Sequence, residues 1–153
     1  MDGRLCDMTA DLEAESLARR VADAMRGADA ATTGAGVELV EVGPGRALAR
    51  LVVERRHVNG HGLCHGGYLF LLADAAFAYA CNSYGTPTVA AGAEITFLRP
   101  GKLGDELRAE ARVRAAAGRT GVYDVTIRVG DAVVAEFRGH SREVPSMPQP
   151  PGV

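Results

Sequence analysis

Apolar residues are most concentrated between positions 66 and 83, in the segment GGYLFLLADAAFAYACNS. Apart from Asp74 this segment carries no charge, and a helix that is hydrophobic nearly all round has to be covered on every side. The segment is too short to span a membrane, and its charge argues against a span as well. The pattern therefore predicts one long buried helix over residues 66–83, around which the rest of the chain folds.

Alternation of apolar and charged residues marks the second half of the chain. In the run LRAEARVR every second residue is apolar and the others are charged, which is typical of antiparallel strands with one buried and one solvated face. Two earlier runs are predicted to form a hairpin through the GPG turn between them. The predicted strands are 37–42, 46–56, 88–100, 105–118, 119–130 and 131–144.

A polar N-cap candidate, early acidic residues and a closing glycine predict a further helix over residues 9–27. The flanking residues 1–8 and 145–153 are predicted to be disordered, the latter because they are rich in proline. We therefore expect one domain over residues 9–144.

These elements run in the order helix, two strands, one long buried helix and about four strands. A curved antiparallel sheet wrapped round the buried helix supplies most of the cover which that helix needs. We therefore expect an α+β protein of the hot-dog architecture, with an extra N-terminal helix.

Composition and charge narrow the class of function. A formal net charge of −2 leaves no basic footprint for nucleic acid, and with 5% aromatic residues and no tryptophan we do not expect base stacking. The three cysteines are odd in number and unpatterned, which favours a reducing compartment. The first residues do not resemble a signal peptide. We expect a cytoplasmic protein that binds neither nucleic acid nor membrane.

Asp74 is the chemically informative residue of the buried helix. The residues three and four positions away from it are apolar or small, so its face of the helix is apolar too. Burial without a partner raises the pKa of a carboxyl group, which suits a general base or an attacking carboxylate. The alternative is a structural carboxylate that caps a loop amide, and the residues leave both open.

The helix begins with Gly66 and Gly67, whose N–H groups are expected to be uncovered at the positive end of the helix dipole. Such groups stabilise a carbonyl oxygen that gains negative charge, although a simple glycine turn would look the same. Gly66 and Asp74 are about 12 Å apart along a helix, whereas catalytic contacts span about 3 Å. If both act on one carbonyl, they come from two antiparallel helices of a homodimer with shared sites.

Other motifs fit less well. Potential metal ligands lie close together at His57, His61, Cys64 and His65. Their spacing matches no zinc motif, so no metal is expected, and the absence of nucleotide-binding glycine motifs argues against a nucleotide cofactor. Cys64 beside His65 makes a poor nucleophile pair, because adjacent side chains seldom point at each other. His57 and His61 are interpreted as solvated loop residues.

Four segments carry a family resemblance: NGHGLCHGGYLFLLADAAFAYACNSYG, ITFLRPGKLGDELRAEARV, RTGVYDVTI and VAEFRGHS. Together they resemble the phenylacetate-degradation (PaaI-type) thioesterases of the hot-dog superfamily. The resemblance covers residues 35–143, and the combination of HGG, LAD and ACNS is more specific than HGG alone. It implies hydrolysis of acyl-CoA thioesters, typically of hydroxylated phenylacetyl-CoA, by a homotetramer without a cofactor.

The resemblance also implies roles for individual residues. The catalytic carboxylate falls on Asp74 and the oxyanion amide on Gly66. A residue that positions the water or the thioester falls on Asn59, and the motif histidine near the thioester falls on His65. At Ala78 some relatives carry a hydroxyl residue, so we do not expect a water-holding role there.

Four further residues are predicted to bind the substrate. The cations among them lie in loops or at strand ends, where they can reach the phosphates of coenzyme A. The predicted substrate-binding residues are Gly67, Arg99, Lys102 and Arg119.

Two other functions remain open on the same fold. An enoyl-CoA hydratase or dehydratase pairs the helix carboxylate with a histidine, and His65 is the obvious candidate although it belongs to a different motif. A non-catalytic acyl-CoA-binding regulator needs a DNA-binding element, and the helix at 9–27 has no helix-turn-helix partner.

Overall fold

A six-stranded antiparallel sheet curves around the long apolar helix, as the sequence pattern predicts. The computed structural model describes residues 3–153, with side chains from Met8 onward. The helices are α1 (Gly3–Ala28), α2 (Ala30–Gly34) and α3 (Gly66–Asn82), and a 3-10 turn lies at Arg55–His57. The strands are β1 (Glu38–Gly43), β2 (Arg46–Val52), β3 (Thr88–Phe97), β4 (Glu106–Ala117), β5 (Thr120–Val129) and β6 (Ala132–Glu143).

The core lies between α3 and the concave face of the sheet. α3 contacts β2, β4 and β5 most extensively, and small side chains on both sides let the helix and the sheet approach closely. Removal of this apolar surface from water stabilises the fold by about 25 cal/mol per Å². Fully buried residues include Leu72, Ala73, Ala76, Ala80, Ala49, Ala109, Val125 and Ile127.

The two edges of the sheet differ. The strand order is β1-β2-β4-β5-β6-β3, so β1 and β3 each have one strand neighbour. β1 lies beside α1, whereas most residues of β3 are exposed, including Ala90, Ala93 and Phe97. An edge strand with apolar side chains and unpaired backbone groups is a surface on which another strand can pair.

α1 begins at Gly3, so the predicted start of this helix at residue 9 is wrong. The segment RLCDM contains no helix breaker, and a polar residue such as Thr9 is tolerated within a helix when its side chain faces solvent. Residues 1 and 2 of the predicted N-terminal tail lie outside the described residues.

The connector after α1 contains α2, which the sequence pattern did not predict. Asp29 is its N-cap, and the Asp29 carboxylate accepts the N–H of Thr32 at 2.9 Å. At the other end of the chain, residues 145–153 contain neither helix nor strand, and the Gln149 amide donates to the carbonyl of Gly85. Disorder of this tail stays a prediction. Among the described residues, no helix has the length and apolar character needed to cross a membrane.

Candidate active site

The loop over residues 57–65 folds back on itself and leads into the first turn of α3. The N–H of His65 donates to the carbonyl of His57 at 2.8 Å, and Val58 forms an isolated bridge with Cys64. Because backbone bonds close the loop at this end, the residue that follows it, Gly66, enters the helix from a fixed direction.

Asn59 holds the tip of this loop. Its side-chain oxygen accepts the N–H groups of His61 at 2.9 Å and Leu63 at 3.2 Å. Its amide nitrogen has no acceptor within the described part of the chain, and Asn59 lines the same groove as Gly66. The structure therefore brings two of the predicted site residues together and leaves a donor of Asn59 free to serve a bound molecule.

His65 is the N-cap of α3. Its Nδ1 accepts the N–H of Gly67 at 2.9 Å, so the expectation that Gly67 offers a free N–H to the substrate is wrong. The N–H of Gly66 has no acceptor among residues 3–153. Since it lies at the positive end of the helix dipole, Gly66 is the position in this turn suited to a developing oxyanion.

An open groove of about 440 Å³ lies beside Gly66. Leu69 and Leu98 give it apolar walls, and Phe97 packs over the glycine itself. A Cβ added at Gly66 would stand 3.0 Å from Cζ of Phe97. A side chain larger than glycine at this position would displace the aromatic ring by a few tenths of an ångström.

Asp74 lies further along α3, half-buried among apolar neighbours as predicted. Its carboxylate makes no hydrogen bond or ion pair within the described residues, so the alternative of a loop-capping carboxylate is not supported. Burial raises the pKa of Asp74, and the negative charge of Asp29 raises it further. The side chain is thus an unengaged carboxylate with more basicity than a solvated one.

Asp29 is a member of this environment that the sequence did not reveal. It is separated from Asp74 in the sequence by a strand hairpin and a loop, and its charge acts on Asp74 because α2 packs near α3. Asp29 is a residue type that favours a helix cap, but no local pattern in the sequence predicts that it lies near Asp74.

The thiol beside the glycine turn is poorly suited to act as a nucleophile. Cys64 is buried, and burial, with a smaller contribution from the charge of Asp105, raises the pKa of its thiol to about 11. The thiol therefore stays protonated at neutral pH. No cluster of three or more potential metal ligands occurs in the part of the chain that the structure describes.

His57 is fully buried, so its interpretation as a solvated loop residue is wrong. Its Nδ1 accepts the N–H of Glu54 at 2.9 Å, and its Nε2 bonds the carbonyl of Ala35 at 2.8 Å. His61 is exposed, as predicted.

The three predicted cations divide into two groups. Arg99 lines the groove beside Gly66 and donates to the carbonyl of Val133 at 2.9 Å. Lys102 is exposed on a loop that bridges to Leu63, next to the same turn. Arg119 instead lines a small cavity with Cys81, near the C-terminal end of α3, so one chain does not bring it to Gly66.

Comparisons with known proteins identify the family. A profile of the thioesterase superfamily matches residues 61–136. The acyl-coenzyme A thioesterase PaaI of Escherichia coli is 46% identical over 124 residues, which are 80% of this chain and 89% of that protein. Human acyl-coenzyme A thioesterase 13 is 31% identical over 107 residues, which are 67% of this chain and 76% of that protein.

Solved structures of similar fold belong to the same family. The E. coli PaaI protein from the phenylacetic acid degradation operon has a TM-score of 0.83 and 44% identity, covering 85% of this chain and 95% of that one. A hypothetical thioesterase protein from Streptococcus pneumoniae, solved with coenzyme A, has a TM-score of 0.68 and 27% identity, covering 71% and 85%.

A curved antiparallel sheet around an apolar helix is the hot-dog architecture, and the matching thioesterase profile and relatives define the class, the hot-dog thioesterases. The chain belongs to that superfamily and, within it, to the PaaI-type acyl-CoA thioesterases. It is accordingly an enzyme that hydrolyses acyl-CoA thioesters.

Proposed function

We propose that this thioesterase hydrolyses aryl-acetyl-CoA substrates, such as phenylacetyl-CoA and its hydroxylated derivatives, to the free acid and coenzyme A. The observation that carries the mechanism is the presence, on one helix, of a free N–H at Gly66 and an unpartnered carboxylate at Asp74. The acyl group is inferred from the similarity to a protein of the phenylacetic acid degradation operon. The apolar side chains of Leu69, Phe97 and Leu98 beside Gly66 suit such a group.

Two chains have to contribute to each active site. Gly66 and Asp74 are about 12 Å apart along the same helix, whereas one reacting carbonyl needs both within about 3 Å. In a two-fold symmetric homodimer, antiparallel α3 helices bring Gly66 of one chain close to the partner subunit's Asp74. Each dimer then contains two equivalent sites.

The exposed edge strand β3 is the surface we assign to this dimer. Pairing of β3 with its own copy adds main-chain hydrogen bonds across the edge. It also covers apolar side chains that one chain leaves exposed, among them Ala93 and Phe97. Since Phe97 packs over Gly66, this interface runs past the start of α3. The resemblance to PaaI-type enzymes favours association of two dimers into a homotetramer.

In the reaction we propose, the thioester carbonyl oxygen accepts a hydrogen bond from the N–H of Gly66 and is stabilised there as negative charge develops. The partner subunit's Asp74 either attacks the carbonyl carbon, giving an anhydride that water opens, or removes a proton from an attacking water. In both routes the C–S bond breaks, coenzyme A takes up a proton as the free thiol, and the acid gains the oxygen of water. Asn59 holds the water or the thioester through its free amide nitrogen, and His65 orients the turn.

Arg99 and Lys102 are assigned to the phosphates of coenzyme A because both lie beside the Gly66 turn. Arg119 takes part only if a second chain brings it there. We place the reaction in the cytoplasm, where the free thiols of Cys64 and Cys81 stay reduced.

A hydratase or dehydratase is less well supported. Such an enzyme needs a histidine that is free to act beside the carboxylate, but His57 is buried with both ring nitrogens bonded, and Nδ1 of His65 is occupied by the N–H of Gly67. The substrate class is tested with phenylacetyl-CoA, a medium-chain straight acyl-CoA and an enoyl-CoA, scored for thiol release and for hydration. We expect thiol release from phenylacetyl-CoA with the highest kcat/KM; preference for the straight chain, or hydration without thiol release, contradicts the proposal.

Sharing of the site is tested by subunit complementation. We expect Asp74→Asn and Gly66→Pro each to be inactive alone, but a heterodimer of the two contains one site built entirely from wild-type residues. After random reassociation half of the dimers are mixed and each has one intact site, so about a quarter of the wild-type activity returns. A mixture no more active than its parents, with heterodimers verified by differential tags, contradicts a shared site.

A further inference from the structure

His57 makes hydrogen bonds through both ring nitrogens although it is fully buried. A neutral ring whose Nδ1 accepts from Glu54 carries its proton on Nε2, which then donates to the carbonyl of Ala35. The imidazole is thereby held in one tautomer and one orientation. Burial of an imidazole is costly unless its polar atoms are satisfied, and an apolar side chain would fill the same space without that requirement.

The same residue contacts both sides of Gly66. The main-chain carbonyl of His57 accepts the N–H of His65, the residue just before the glycine, at 2.8 Å. Its ring packs edge-on against Tyr68, two residues after the glycine, with centroids 4.7 Å apart. Gly66 therefore lies between two points that His57 fixes.

The hydrogen bond between Nε2 of His57 and the carbonyl of Ala35 connects this turn to a different part of the fold. Ala35 ends the α2 turn, and the guanidinium of Arg56 donates to the neighbouring Gly34 carbonyl at 2.9 Å. α2 is the segment whose N-cap, Asp29, acts on Asp74. Thus His57 joins the glycine turn to the connector that lies near the carboxylate.

We propose that His57 is a positioning residue of the thioesterase, which fixes the direction of the Gly66 N–H through His65 and Tyr68. It touches neither the substrate nor the reacting atoms, and its role rests on the proposed role of Gly66. An N–H that is oriented before the substrate arrives stabilises the transition state without reorganisation. A loosened turn tilts that donor, which lowers kcat more than it weakens ground-state binding.

Two substitutions of His57 each keep a different one of its two side-chain hydrogen bonds. In His57→Gln the amide nitrogen can still donate to the Ala35 carbonyl, and in His57→Asn the amide oxygen can still accept from the Glu54 N–H. We expect each variant to lower kcat by about tenfold to a hundredfold, because small misplacements of a catalytic group have effects of that size. KM is expected to stay within about twofold, since ground-state contacts remain.

Ser83→Ala is the matched control for lost stability. Ser83 is buried at the other end of α3, where its hydroxyl donates to Ala80 and accepts from the N–H of Gly45. Loss of this hydroxyl removes two buried hydrogen bonds, whereas each His57 variant removes one hydrogen bond and the ring contact with Tyr68, so both kinds of variant lower the melting temperature by a similar mechanism. We expect kcat of Ser83→Ala to stay close to that of the wild type.

The comparison is made at a temperature where all the variants are folded. If the His57 variants lose no more kcat than Ser83→Ala at a similar loss of melting temperature, the positioning role is refuted. If neither His57 variant folds, Tyr68→Leu decides, because it removes one of the two contacts and leaves His57 in place: an unchanged kcat there refutes the proposal, and a tenfold loss supports it.

Gly66→Pro is measured alongside. Normal activity of Gly66→Pro refutes the oxyanion role and the proposal for His57 with it. Loss of activity in Gly66→Pro with retained activity in the His57 variants refutes only the role of His57.

Discussion

The two functional positions of α3 are held in opposite ways. The turn at Gly66 is bonded on every side: His65 caps Gly67, and backbone hydrogen bonds close the loop that precedes it. Asp74 is held by packing alone, since its carboxylate has no hydrogen bond or ion pair in the described part of the chain. The turn is held rigid by the hydrogen bonds around the free N–H of Gly66, whereas the carboxylate of Asp74 is unengaged and poorly solvated.

This difference follows from the chemistry that each position performs. An N–H group stabilises an oxyanion only if its direction is already fixed, so a bonded turn favours catalysis at Gly66. A carboxylate works as a base or nucleophile only if its lone pairs are free, and donors around Asp74 would lower its pKa and its reactivity. Hydrogen bonds therefore stabilise the turn around Gly66, whereas the carboxylate of Asp74 has none.

The strongest test of this comparison is Asp74→Asn. We expect kcat to fall by about a thousandfold, because a positioned base or nucleophile contributes on that order. The pKa of Asp74 is raised in the folded state by burial and by Asp29, so folding favours the protonated form. That favourable contribution is present below the unfolded-state pKa and is lost as the pH rises through the folded-state pKa.

At neutral pH the neutral amide therefore leaves the free energy of unfolding equal to or above that of the wild type. Urea unfolding of both proteins against pH measures this, and the difference is expected to vanish in acid. A marked loss of stability in Asp74→Asn at pH 7 would show that the carboxylate has bonds that stabilise the fold. Near-normal turnover would remove Asp74 from the mechanism.

The second test is at the rigid end of the helix. Proline is well tolerated at the first helical position, and the extended backbone of the preceding His65 accepts it, so Gly66→Pro deletes the N–H while preserving the helix start. We expect kcat to fall by about a hundredfold or more, as for other lost oxyanion donors.

Gly66→Ala is the matched control, because it adds the Cβ that meets Phe97 but keeps the N–H. Its loss of kcat should be smaller, and Phe97→Leu in the same chain should restore part of it by making room. Equal losses in Gly66→Pro and Gly66→Ala would assign the effect to crowding against Phe97 and not to the missing donor.

The fold, the raised pKa of Asp74 and the free N–H of Gly66 can be predicted from the sequence because their signals are local. Periodicity two marks the strands, an apolar run marks α3, and a carboxylate within that run already implies a raised pKa at Asp74. The free N–H of Gly66 follows in the same way from its place at the start of a helix.

Three other features of the site cannot be predicted in this way, because they depend on side-chain rotamers or on contacts between segments that are distant in the chain. Burial of His57 requires the α2 connector to cover it, and no pattern near His57 announces that cover. The N–H of Gly67 is occupied because the His65 side chain turns back to cap the helix, which is a choice of rotamer. The proximity of Asp29 to Asp74 exists only once α2 and α3 have packed.

That proximity leads to the smallest and most specific prediction, for Asp29→Asn. Asparagine caps a helix about as well as aspartate, so the bond to the Thr32 N–H is retained while the negative charge is removed. Without that charge the pKa of Asp74 falls, since the charge of Asp29 is one of the two causes that raise it. The acid limb of kcat/KM against pH should therefore move to lower pH with an unchanged plateau, and added salt should shrink the difference between the two profiles.

Asp29→Ala removes the cap as well and should lower stability by about 1 kcal/mol while shifting the limb equally, which separates the effect of the charge from that of the cap. An acid limb that does not move in Asp29→Asn would mean that the carboxylate at Asp74 owes its basicity to burial alone, and a limb that moves to higher pH would contradict the effect assigned to the charge of Asp29.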